Sequence, residues 1–122
     1  MNGITLITKT KITREKIVEP LKCKLTTSKV ITQDDEHEIF MGKYPNNFYI
    51  VFDDSISIDD SRCILEQEEK DSIPFKNAQL NYMTFHNIDV AKKVVAIIHE
   101  VYPELIIIDD DGIFYNAEEF AN

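Results

Sequence analysis

The chain lacks the short motifs by which most catalytic sites are recognised. It has only three glycines, too few for a phosphate-binding loop, and it contains no P-loop, no G-x-G-x-x-G and no G-x-S-x-G pattern. Its three histidines and two cysteines are scattered without metal-ligand spacing. His99-Glu100 lacks the second histidine of a zinc-protease motif. We therefore expect no enzyme, and we assign no catalytic, cofactor-binding or metal-binding residue.

Long apolar runs are absent as well. No stretch approaches the ~18 consecutive apolar residues of a membrane helix, and the N-terminus has no apolar segment of signal-peptide length. Cys23 and Cys63 form no C-x-x-C pair, which favours reduced thiols and leaves a regulatory disulfide as the alternative. We expect a cytoplasmic protein without a membrane partner.

The four prolines and three glycines form no linker-like stretch, so we expect one domain over residues 1–122. At 43% hydrophobic residues the chain can bury a core. Val90, Val94 and Ile98 belong to a helical apolar stripe over 88–102 that Pro103 ends. Short β-branched or aromatic runs predict strands, and they lie at 4–8, 28–33, 39–41, 48–52, 62–67, 80–85, 105–108 and 113–115. An extended arm is the alternative at 4–8, and a short helix from Asp59 is the alternative to the strand at 62–67. The pattern predicts an α+β domain with an antiparallel-rich sheet, one long helix and one short helix.

Charge is divided unevenly along the chain. Residues 1–33 hold seven Lys/Arg against two Glu, a net of +5, and residues 34–122 hold six against twenty acidic residues, a net of −14. The basic third reads as a helix capped by Thr13 and broken or kinked at Pro20, with an anion-binding patch as the alternative. The acidic remainder repels nucleic acid and anionic membranes and attracts basic proteins.

The Asp109–Asp111 run, followed by Gly112 and Glu118, resembles part of a calcium-binding loop. However, Ile107 occupies the first ligand position and cannot coordinate a cation. A hairpin turn with solvated carboxylates is the simpler interpretation. We therefore leave this turn out of the candidate site.

The C-terminal third has a helix over 90–102, an apolar strand, an Asp-Gly turn and the segment Ala117–Phe120. This arrangement resembles the ending of several small immunity proteins of bacterial polymorphic and contact-dependent toxin systems. The resemblance implies a compact cytoplasmic α+β protein that binds a toxin domain, often a basic nuclease, and blocks its active site. It carries no site residue over to this chain.

We expect an acidic protein-binding domain of the immunity type, whose partner is a basic toxin domain. Its candidate partner-binding carboxylates and aromatic anchors lie between residues 44 and 69: Tyr44, Tyr49, Asp53, Asp54, Asp59, Asp60, Glu66, Glu68 and Glu69. A phage-type inhibitor that mimics nucleic acid is one alternative, because ordered carboxylates can imitate phosphates. An interaction domain without inhibitory role, or an enzyme whose carboxylates converge only on folding, are the others. The sequence predicts no oligomeric state.

Overall fold

The computed structural model describes residues 2–25, 38–57 and 65–122. Its strands are β1 (Asn2–Thr8), β2 (Glu38–Met41), β3 (Phe48–Ser57), β4 (Gln79–Phe85), β5 (Ile106–Asp109) and β6 (Phe114–Asn116). Its helices are α1 (Arg14–Lys24), α2 (Gln67–Asp71), α3 (Ile88–Val101) and α4 (Ala117–Ala121).

The six strands form one sheet in the order β2-β3-β4-β1-β5-β6, and every neighbouring pair is antiparallel. The expected α+β class is therefore confirmed. The 14-residue helix α3 begins where its sequence predicts, because the side chain of Asn87 accepts the Asp89 backbone N–H at 2.9 Å. At the C-terminus, Asn116 caps α4 in the same way through the N–H of Glu119, at 2.7 Å.

Side chains on the two faces of the sheet pack into separate clusters, because neighbouring residues of a strand point to opposite faces. Leu6 of β1 packs in the larger cluster, which contains the apolar faces of α1, α3 and α4. Its neighbour Ile7 packs in the smaller one, with Ile73 and Ala78 of the segment that leads from α2 to β4. Among the described residues, the larger cluster lies on the face that packs against α1, α3 and α4, and the smaller one lies on the opposite face.

The alternation of strand directions gives the sheet two distinct ends. At one end β1, β3 and β6 begin and β2, β4 and β5 end, since Phe48 pairs with Phe85 and Phe85 pairs with Asn2. We call this end the turn edge. It carries the β2–β3 loop (42–47), the β4–α3 connection (86–87), the first residues of β1 and the β5–β6 turn (110–113). The opposite end, where β1 finishes at Thr8, is the far end.

Several local expectations need correction. Residues 65 and 66 are not in a strand, and a short helix, α2, follows them, so the strand expected at 62–67 is wrong in its described part. Thr13 occupies the N-cap of α1 without a side-chain capping bond, and α1 continues through Pro20 to Lys24. Helix α1 is the helix expected in the basic third, and the described residues also contain the five-residue helices α2 and α4. The strand expected at 28–33 lies outside the described residues.

Candidate protein-interaction surface

The β5–β6 turn is held closed by its own first carboxylate. Asp109 Oδ1 accepts the backbone N–H groups of Asp111 and Ile113, each at 2.9 Å, and Gly112 adopts φ +80°. This bonding explains the turn without a bound cation. Within residues 2–25, 38–57 and 65–122, no group of three or more His, Cys, Asp or Glu residues is placed to hold a metal ion.

Asp110 fastens the turn to two neighbouring strands. Its Oδ2 accepts the backbone N–H of Gly3 at 3.0 Å, and its Oδ1 accepts the hydroxyl of Tyr82 at 3.2 Å. The Tyr82 ring crosses directly over Gly3, where an added Cβ would lie 1.8 Å from the phenolic oxygen. Because residue 3 has no side chain, the Tyr82 ring can lie over it and its hydroxyl can reach Asp110.

Two tyrosine hydroxyls are influenced by the carboxylates of this turn. Burial, then the charge and the hydrogen bond of Asp110, raise the pKa of Tyr82 above its ordinary value of 10.0. Burial also raises the pKa of Tyr115, and the charge and hydrogen bond of Asp109 act in the same direction. Both phenols therefore stay protonated at neutral pH, so neither adds a negative charge of its own to the turn.

The most exposed large apolar side chains of the described residues gather at the same turn edge. Tyr44 is 77% exposed in the β2–β3 loop, and Ile113 is 50% exposed in the β5–β6 turn. Tyr82 and Ile88 are each 46% exposed, on β4 and at the start of α3. From the β2–β3 loop to the β5–β6 turn the edge crosses four strand spacings, about 20 Å. That width is within the reach of a standard protein interface, which covers about 800 Å² of each partner.

The loop that carries Tyr44 is tied to the β4–α3 connection. The Tyr44 and His86 rings meet edge to face, with centroids 4.9 Å apart and an interplanar angle of 75°. Next to them, the side-chain amide of Asn87 donates to Asn46 Oδ1 at 3.0 Å. Tyr44 is thus an exposed aromatic residue on a loop with fixed neighbours.

Helix α2 brings a second acidic segment to the turn. Glu66 and Glu69 form a reciprocal capping box, in which Glu69 Oε1 accepts the Glu66 backbone N–H at 3.0 Å. The other oxygen of Glu69 faces the turn, 3.8 Å from where a Cβ on Gly112 would lie. Between them is a cavity of ≈ 570 Å³, lined by apolar residues such as Leu65 and by Glu69, Tyr82 and the three aspartates of the turn.

The residues expected to bind a partner are dispersed in the structure. Tyr44 and Glu69 lie at the turn edge, and Glu66 and Glu68 are exposed at the start of α2. Tyr49 is half-buried on β3, where its hydroxyl donates to the Glu38 carboxylate and its ring packs against Phe40. Asp53 and Asp54 lie in β3, and Asp59 and Asp60 lie outside the described residues.

Sequence reasoning did not predict that Tyr82, Ile88, Ile113 and the Asp109–Asp111 turn lie together at one edge of the sheet. The sequence predicts the aspartate run only as a hairpin turn, and nothing in the local pattern shows that β1 lies between β4 and β5. That strand order alone places Tyr82 beside Asp110. The exposure of Ile88 and Ile113 likewise has no signal in an apolar sequence pattern.

No family model, curated protein or solved structure matches this chain. Within its described parts, no helix has both the length and the apolar character needed to cross a membrane.

Proposed function

We propose that this chain is a cytoplasmic, acidic protein-binding domain of the immunity type, which binds a basic toxin domain through the turn edge and blocks it. The observation that carries the proposal is the convergence of the Asp109–Asp111 turn and Glu69 with four exposed large apolar side chains at one end of the sheet. No catalytic step, metal or cofactor enters the proposal.

The chemistry of this edge matches that of a binding surface. Carboxylates that remain charged attract a basic partner and raise its association rate. Exposed aromatic and aliphatic side chains supply the area whose burial slows dissociation. Tyr44 and Tyr82 are suited to the second task, since a tyrosine buries a large ring at a small cost in conformational entropy.

The mixed character of the edge also favours a protein partner over the mimicry of nucleic acid. A phosphate mimic requires carboxylates in a regular array. Here Asp109 and Asp110 are held by backbone N–H and phenol donors within the fold, and the exposed side chains of Tyr82 and Ile113 lie at the same edge.

The test uses the toxin domain encoded by the gene next to this one. Co-expression should protect cells from that domain, and the purified proteins should form a complex. The variant Glu68→Lys/Asp111→Lys should lower the association rate constant about 10-fold at low salt. The matched control Glu15→Lys/Glu19→Lys makes the same charge change on exposed positions of α1 and should lower it less than about 2-fold.

Stopped-flow fluorescence at low salt and at ~1 M salt, where charges are screened beyond about 3 Å, separates steering from contact. Equal losses for the two variants would show that the turn edge is not the binding surface. Failure of the chain to protect against the neighbouring gene product, or absence of a toxin domain there, would contradict the immunity function itself.

A further inference from the structure

The turn edge contains a second cavity, on the helix side of the sheet. It has a volume of ≈ 410 Å³ and lies between the start of β1, the first turns of α3 and helix α4. Its apolar lining includes Ile4, Phe85 and Phe120, which are 1%, 3% and 8% exposed. These walls are fixed by the main core, so the cavity is part of the folded framework.

One further apolar residue of the lining differs from these three. Ile88, the first residue of α3, lines the same cavity and is 46% exposed, so it extends the apolar lining outward to the surface. The cavity therefore opens to solvent beside an apolar rim. Its volume lies near the lower limit of the ~300–1,000 Å³ of small-molecule sites, which suits one or two amino-acid side chains.

The charged residues around the opening indicate which groups should lie next to an apolar side chain bound in the cavity. The lining contains Asp109, Asp110, Asp111 and Glu119 against a single cation, Lys92. Glu119 is held in position because its carboxylate accepts the Asn116 side-chain amide at 2.6 Å. Acidic side chains beside an apolar cavity complement an aliphatic side chain whose sequence neighbours are basic.

We infer that this cavity receives an aliphatic side chain flanked by arginine or lysine from the basic partner. The inference rests on the proposed function and specifies how the partner is recognised. The aliphatic group occupies the space next to Phe85 and Phe120, and its basic neighbours face the aspartates of the turn. Such a buried anchor surrounded by polar contacts is the arrangement that dominates binding energy in many interfaces.

The first test uses capped tripeptides as probes and needs no toxin. Acetyl-Arg-Leu-Arg-amide should shift the backbone amide signals of Gly3, Lys92 and Phe120 in ¹H–¹⁵N NMR spectra, with a millimolar dissociation constant. Acetyl-Arg-Gly-Arg-amide should bind at least ~10-fold more weakly, because burying a leucine side chain favours binding by that much or more. Acetyl-Glu-Leu-Glu-amide should produce no saturable shift.

A pair of apolar-to-serine variants on α3 locates the binding. Ile88→Ser removes the apolar rim and should weaken the Arg-Leu-Arg probe at least ~5-fold. Val101→Ser is the control, because Val101 is a partly buried apolar residue at the opposite end of the same helix and does not line this cavity. It should leave the affinity of the probe unchanged. Thermal unfolding of both variants verifies that they fold.

Equal affinity of the Leu and Gly probes, or equal losses in Ile88→Ser and Val101→Ser, would overturn the inference. If the toxin domain bound normally while the probes failed in this way, the cavity assignment would be wrong and the proposed function would stand. If the probes bound as expected while no neighbouring toxin was inhibited, the cavity assignment would stand and the immunity function would be wrong.

Discussion

The two ends of the sheet carry charges that are satisfied in different ways. At the far end, lysine side chains meet partners within the fold: Lys24 pairs with the Glu100 carboxylate, and Lys16 lies 5.8 Å from the centre of the Tyr102 ring. At the turn edge, Asp110 takes its two bonds from a backbone N–H and a phenol, which are uncharged. Hydrogen bonds of this kind position a carboxylate without cancelling its charge.

This contrast explains how an uneven charge along the sequence becomes a surface. The basic N-terminal residues leave β1 at the far end, where the Lys9 backbone N–H donates to Glu104 at 3.3 Å. The acidic turn between β5 and β6 lies at the opposite end of the same sheet. What distinguishes the turn edge is that its negative charge is fixed in place and stands beside exposed apolar side chains.

The largest effect expected of a single substitution at the turn edge is that of Gly3→Ala. The new methyl group would overlap the Tyr82 ring, which must swing away from Asp110. Overpacking and the lost hydrogen bond together should lower the free energy of unfolding by about 2–3 kcal/mol. Urea unfolding measures this loss.

Tyr82→Ala supplies the control for that prediction through a double-mutant cycle. In the Tyr82→Ala background, Gly3→Ala should cost less than about 0.5 kcal/mol, because the ring that it displaces is already gone. If Gly3→Ala lowered the free energy of unfolding equally with Tyr or Ala at position 82, the Tyr82 ring would not be the reason for glycine at position 3. The proposed contact of Tyr82 across Gly3 would then be wrong.

A smaller, pH-dependent effect is expected of Tyr82→Phe. At neutral pH it removes the hydroxyl that donates to Asp110 and should cost about 1 kcal/mol. The folded protein raises the pKa of Tyr82, so the stability that this phenol contributes is complete below pH 10.0 and is lost as the pH rises through the higher folded value.

The difference in unfolding free energy between the wild type and Tyr82→Phe should therefore shrink as the pH rises above 10.0. In the Asp110→Asn background the pH dependence of this difference should be weaker, since only burial then raises the pKa of Tyr82. A difference that grows with pH would have the wrong sign for a phenol beside a carboxylate.

The elements that sequence reasoning predicted well are those with a complete local signal. Helix α3 has an apolar stripe with five buried residues and an asparagine cap, and the β5–β6 hairpin has its Asp-Gly turn. Helix α2 has no such signal. Its five residues are all polar and none of them is buried, so the sequence shows no apolar stripe there. Its capping box, Glu66 with Glu69, was the available clue.

The candidate surface was less predictable than the fold because it depends on long-range pairing. The Tyr82–Asp110 bond joins residues 28 positions apart, and the Gly3–Asp110 bond joins residues 107 apart. Both follow from the position of β1 between β4 and β5, which local patterns do not determine. The acidic composition was informative, but the clustering of carboxylates with apolar side chains emerges only from the strand order.

The smallest effect is expected at the far end, in the coupling between Lys24 and Glu100. The side chains of Lys24 and Glu100 are 46% and 62% exposed, so water screens their attraction. A double-mutant cycle with Lys24→Met and Glu100→Gln should give a coupling energy below about 0.5 kcal/mol. Chemical unfolding of the four proteins at low salt measures it.

A coupling energy above about 1 kcal/mol would contradict the prediction and would mean that the far end holds its cations firmly within the fold. A weak coupling has the opposite consequence. Lys24 then remains available to an anionic group, much as Asp111 remains available to a cationic one. Among the described residues, the two ends would then differ in the sign of their charge and in the exposed apolar side chains of the turn edge, and those side chains would be the reason to propose the turn edge as the binding surface.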